Sequence, residues 1–235
     1  MKNPFKLFTF LFLVTVSSCD TTGKIDYKFA ESPEIIACDL PNNALYNEAI
    51  HSFENDLLNT YDNKSKSGQK AYFSFINFTM RGGLKVEDIA SAHSLKIAHL
   101  LKEDNTLWTT INGKTSLNYS HPLIDCLTKN IKTNSLKQTI NALLTTNSMR
   151  PNLVLAPLSN STKGIQGDGS LKGYVAFDFF YSKLLDSKLE DLKNPNPEPI
   201  EAAKTDVKTG LNPAKKTTIP TDKVMEKDPH AGHNH

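Results

Sequence analysis

Charge of one sign is what this chain has least of. Lys and Arg number 27 against 25 Asp and Glu, a formal net of +2, and the lysines alternate with acids along most of the length. There is therefore no clustered basic face of the kind nucleic acid requires, and the charges read as a solvated surface. Catalytic and metal signatures are missing too. The sequence has no His-Glu-x-x-His zinc helix, no Cys-x-x-Cys, no calcium loop of alternating acids and no Gly-x-Ser-x-Gly elbow. An enzyme would have to assemble its groups from distant positions, and nothing local supports one. Gly113, Lys114 and Thr115 imitate the end of a phosphate loop, but the glycine needed five residues earlier is Trp108. No repeat of solenoid length is present, and no apolar run reaches the roughly 20 residues that cross a bilayer as a helix.

What is present begins with the first twenty residues, "MKNPFKLFTFLFLVTVSSCD". Lys2 and Lys6 precede a compact apolar run from Leu7 to Val16, the length of a signal-peptide core of roughly 7–15 residues. It ends in Val16, Ser17, Ser18 and Cys19. These four positions resemble the lipobox of bacterial lipoproteins, an aliphatic residue and two small ones before a cysteine. The resemblance implies that residues 1–18 are removed and that Cys19 becomes the acylated first residue of the mature protein. The chain would then be held on a bacterial membrane through its lipid while its polypeptide stays in water. Asp20 resembles the inner-membrane retention signal of enteric bacteria; other phyla sort by other rules, so both membranes of the envelope stay open.

With Cys19 assigned to lipid, Cys38 and Cys126 are left as an even pair in a compartment that permits disulfides. A bond between them is the expectation, two separate buried thiols the alternative. A catalytic Cys126 is a third reading, disfavoured by the poor spacing of His121 from it.

Residues 19–34 are polar and short of core-forming side chains, and read as a tether. From Asn42 the pattern turns helical: Leu45, Ala49, Phe53 and Leu57, joined by Ile50 and Tyr61, form one apolar stripe. "AYFSFINFTM" shows no clean alternation and reads as a second, buried helix stopped by Gly82 and Gly83, with a strand as the alternative. A third runs from Val86 through Ile89, His93 and Ile97 to Leu101. "INGKTSLNYS" reads as a loop, and "HPLIDCLTKNI" as a helix capped by Ser120 with Pro122 in its first turn. Another helix follows in "SLKQTINALLTTN". Between Pro151 and Pro157, "NLVLA" reads as a short extended piece or buried crossing, 159–170 as a flexible loop, and "GYVAFDFFYSKLLDSKLEDL" as an aromatic last helix. From 191 the chain loses its large apolar residues and gains Pro, Lys, Thr and Glu, a composition that cannot offset ordering entropy. The expectation is one all-α, bundle-like domain of about six helices over 35–190, with a disordered tether before it and a disordered tail, 191–235, after it.

Histidines are the remaining candidates. His93 falls on the apolar face of the third helix, where an imidazole needs partners for its ring nitrogens; it is either a hydrogen-bonded core residue or the first candidate to line a ligand cavity. His51 and His99 lie beside their stripes and read as surface or boundary residues. The aromatic clusters at 72–78 and 174–181 read as core, with a pocket or a docking surface for another envelope protein as the alternative. His230, His233 and His235 close the chain in "DPHAGHNH". Imidazoles so spaced can take Zn or Cu; an incidental polar terminus is the competing reading. Together these features point to a lipid-anchored cell-envelope protein whose helical domain binds a partner or small ligand, with Zn or Cu handling by the terminal histidines as the second reading.

Overall fold

The computed structural model describes residues 26–195. Cys19, the signal-peptide segment and the three terminal histidines lie outside them. The described chain is one mostly helical domain, 61% helical with seven helices and a single two-stranded sheet.

Helix α1 (Asn43–Tyr61) is the spine, and α2 (Gly68–Met80), α3 (Ala92–Lys102) and α7 (Gly169–Val175) all contact it. Its Leu45, Ala49, Ile50, Phe53 and Leu57 are buried, as the stripe requires. Phe53 sits among Tyr72, Phe75 and Phe180, with ring centroids 4.9–5.7 Å away, so the two aromatic clusters meet in one core, although Phe73 and Phe78 of the first are exposed. The chain leaves α2 through Gly82, whose φ of +70° is the left-handed cap that glycine adopts at little cost.

Several local expectations are corrected. The third helix is broken: Val86–Asp88 is a 3₁₀ turn, and α3 starts only after Ser91, whose side chain accepts from Ser94 N–H at 3.2 Å and caps it. Most of the expected loop at 111–120 belongs to an antiparallel hairpin, β1 (Trp108–Ile111) and β2 (Lys114–Leu117), with Ile111 opposite Lys114. Its two-residue turn is Asn112–Gly113, both at positive φ (52° and 75°), the geometry that matches the twist of hairpin strands. Asp186 holds the hairpin to the domain by accepting from Thr115 N–H and Oγ1–H. Third, the "NLVLA" segment belongs to helix α6 (Pro151–Ser161). Pro151 occupies the first turn, where no N–H is missed, and Pro157 is tolerated inside. The expected loop after it is a 3₁₀ turn, Thr162–Gly167, followed by an Asp168 cap on α7. Fourth, α4 (Pro122–Asn130) is capped by His121 rather than Ser120; α5 (Asn134–Thr145) follows as expected.

The last helix changes pitch. After α7 the chain makes a π-helical stretch, Ala176–Tyr181, with all six residues buried, before Ser182–Leu184 returns to α geometry. Asp178, inside it, accepts from Tyr119 Oη at 2.9 Å and Tyr174 Oη at 2.8 Å. Cys38 and Cys126 are bonded, 88 residues apart, and tie the segment before α1 to α4. Cys126 is therefore no free thiol. No described helix is long and apolar enough to cross a membrane.

Candidate functional site

A cleft of about 600 Å³ opens where three helix ends meet: the start of α1, the end of α3 and the start of α4. Leu40, Pro41, Leu45, Leu100 and Pro122 give it apolar walls, and Tyr27 covers one side. Its polar floor is Tyr46, Asp104 and His121.

Each is placed by local structure. Tyr46 rides the first turns of α1 with its ring edge-on to Phe177, centroids 5.6 Å apart. Asp104 comes just after α3, and its Oδ1 accepts from Thr106 N–H (3.2 Å) and Oγ1–H (2.7 Å), which locks the turn. Its Oδ2 accepts from Tyr46 Oη at 3.0 Å and faces His121 Nε2 at 3.4 Å. His121 Nδ1 accepts from Leu123 N–H at 3.1 Å, so that nitrogen carries no proton and Nε2–H points at Asp104.

The electrostatics follow from this wiring. Burial, reinforced by the Asp104 carboxylate, pushes the Tyr46 phenol up to about 12. Burial works to raise Asp104, but the donors on Thr106 and Tyr46 and the nearby His121 hold its carboxyl below the usual range. Burial lowers His121, against the pull of Asp104. Around neutral pH the floor is thus a phenol, a carboxylate and a neutral imidazole in fixed orientations.

Proton uptake by His121 would put a hydrogen on Nδ1 and break the α4 cap. Its folded affinity for protons is depressed, so its contribution to stability is present above about pH 6.5, the unfolded value, and is lost as pH falls through the lower folded one. His121→Ala is expected to cost about 1 kcal/mol at pH 7.5, the usual worth of a cap. His121→Asn, which can cap but does not titrate, is expected to recover most of it and to weaken the acid dependence; urea unfolding at pH 5.5 and 7.5 measures both.

His93 is placed elsewhere, in a polar seam between α1 and α3. On α1, Glu48, Ser52 and Asp56 recur every four residues, and all three are buried. Glu48 Oε1 accepts from His93 Nε2–H at 2.6 Å, Ser52 Oγ meets Ser94 Oγ at 2.6 Å, and Asp56 Oδ2 accepts from Ser94 Oγ at 2.6 Å and Ser91 N–H at 2.9 Å. His93 is thus a hydrogen-bonded interior residue and does not line the 600 Å³ cleft. His51 is half-buried and His99 exposed, as expected. Among the described residues no three His, Cys, Asp or Glu side chains are placed to hold a metal.

No family model, curated protein or solved structure matches this chain. The cleft is therefore read from its own chemistry. Sequence reasoning weighs His121 as a partner for Cys126 and, for an enzyme, as a cleft partner of His93, and passes over Tyr46 and Asp104; His93 does not line the cleft that His121 lines. The available signal was Ser-His-Pro at a helix start, which marks a capping side chain beside a proline at the first helical position.

Proposed function

We propose that this is a lipid-anchored cell-envelope protein whose helical domain takes a small ligand in the cleft between α1, α3 and α4. The observation that carries the reading is the cleft itself, with apolar walls over a few convergent, mutually bonded polar groups, the usual make-up of a small-molecule site. Tyr46, Asp104 and His121 hold one another, so a ligand would meet a preorganised surface and lose little affinity to ordering it. The lipid anchor rests on the lipobox at Cys19 alone. The apolar walls leave room for a ligand with a hydrophobic body, while Asn42, Asn105 and Thr106 at the margin offer uncharged hydrogen-bonding groups.

A fragment screen by NMR on the full chain tests it. Hits are expected to shift resonances of Tyr46, Thr106 and His121, and Ala44→Trp, which places an indole in the cleft from an exposed position, is expected to weaken them at least tenfold. Hits spread over the surface, or indifferent to that substitution, would sink the binding reading.

A further inference from the structure

Tyr27 belongs to a segment that has almost no structure of its own. From residue 26 to 34 the one internal backbone bond described is Ser32 N–H to Phe29 C=O at 2.9 Å. What holds the segment comes from α1 and α3. The Glu48 carboxylate accepts Lys28 N–H at 2.8 Å on one oxygen and Phe29 N–H at 3.0 Å on the other. The Phe29 ring stacks on His51, centroids 5.5 Å apart, and leans on His93 at 6.1 Å. His51 Nε2–H donates to Pro33 C=O at 2.9 Å. Glu48 is itself aimed by His93.

The next residues are fixed differently. Asn47 Oδ1 accepts from Ile35 N–H at 2.7 Å and Ile36 N–H at 3.0 Å while its Nδ2 donates to Ile36 C=O, and Cys38 is covalently tied to α4. The segment is therefore anchored at its C-terminal end, and along its length it is held by side chains alone: the Glu48 carboxylate, His51 on Phe29 and Pro33, and the packing of Tyr27. We infer that residues 26–34 are a strap that swings about Ile35–Cys38, closed in this structure, and that its release removes the wall Tyr27 gives the cleft.

The chemistry of Glu48 makes such a latch reversible. With the strap down, Glu48 is 3% exposed, and that burial is tolerable only because its oxygens are filled by the strap's two N–H groups and His93. With the strap up, Glu48 keeps His93 and regains water, so opening exchanges hydrogen bonds instead of orphaning a charge. A segment with few apolar contacts held this way belongs to the low-stability end of a fold, where local opening precedes global unfolding.

This inference takes its purpose from the ligand reading of the cleft, but its test does not use a ligand. The full chain carrying Cys19→Ser and Leu100→Cys has one free thiol, placed in the cleft wall, because Cys38 and Cys126 are bonded. Adding Phe29→Ala, at a half-buried surface position, is expected to raise the rate of methanethiosulfonate labelling at that thiol at least tenfold. Tryptic cleavage after Lys28 should speed up to a similar degree, with the urea midpoint of the whole domain unchanged. Glu48→Gln, which removes one acceptor from the latch, should act in the same direction. Faster cleavage with unchanged labelling would mean that the strap moves without opening the cleft, and unchanged cleavage would mean that it is not held this way; either overturns the inference. If instead labelling responds and no fragment ever binds, the ligand reading falls and the strap stands.

Discussion

Unfolding free energy is expected to fall by several kcal/mol as the pH is raised from 4.5 to 7.5, and Asp178→Asn and Asp56→Asn are each expected to flatten that decline. Both carboxyls are fully inside the protein, and burial pushes each up to about 6, against the hydrogen bonds that act to lower it. Their folded values lie above the unfolded value of 3.8. The stability each contributes is thus fully present below about 3.8 and is lost as pH rises through about 6. A displacement of about two units corresponds to about 3 kcal/mol per group. His121, which acts below about pH 6.5 and so within this window, and Asp104 and Asp62, which act below it, work in the opposite sense, so the variant-minus-parent difference at each pH isolates the two aspartates. Asparagine imitates the protonated side chain. At 178 its amide can still accept from one tyrosine hydroxyl and donate to the other. At 56 its NH₂ would lie where Oδ1 has no partner among the described residues. Asp178→Asn is therefore expected to gain more at pH 7.5, about 2–3 kcal/mol, with little change at pH 4.5. Urea titrations at the two pH values decide it, and variants that run parallel to the parent would show that neither carboxyl is held protonated.

Replacing Cys38 and Cys126 together by alanine is expected to cost about 4–5 kcal/mol. The bond closes a loop of 88 residues, and the entropy a cross-link removes from the unfolded chain grows with the logarithm of that length. Against the roughly 5–15 kcal/mol that holds a typical domain together, such a loss brings the protein close to its unfolding midpoint at 37 °C. The same drop should appear in the parent after reduction, and the double variant should no longer respond to reductant. A change below about 1 kcal/mol would mean that the reduced chain keeps the ends together by other contacts. Cys38 is 5% exposed, and Asn47 already grips the two residues that precede Ala37; these are the contacts that would do so.

Helices α1 and α5 were legible because an apolar stripe at helical spacing marks each, and α2 as an apolar run ended by Gly82 and Gly83. α6 was not, since two prolines six residues apart look like brackets, and only the backbone shows that the first sits at a helix start and the second is accommodated. The hairpin carried its own signal in Asn112–Gly113 between two threonine-containing segments, Thr109–Ile111 and Lys114–Ser116, which comparison with a phosphate loop obscured. The seam was missed for another reason. Glu48, Ser52 and Asp56 occupy what a one-stripe reading treats as the wet side of α1, whereas α1 is a central helix covered on more than one side, and its second buried face is polar. Of the candidate site, the disulfide was readable from cysteine parity and compartment. The cleft was not, because Tyr46, Asp104 and His121 come from three segments 17–75 residues apart in the sequence and share no motif.

The pairing of a weak latch with a strong hinge also sets how this domain would carry mechanical load. A pull on the N-terminal end reaches Lys28 and Phe29 first, and their bonds to Glu48 break in succession, as in unzipping. The load then arrives at Asn47 and the Cys38–Cys126 link, where it is shared between α1 and α4. Tension at the N-terminus would thus be spent on the strap, with the core as the last element to yield.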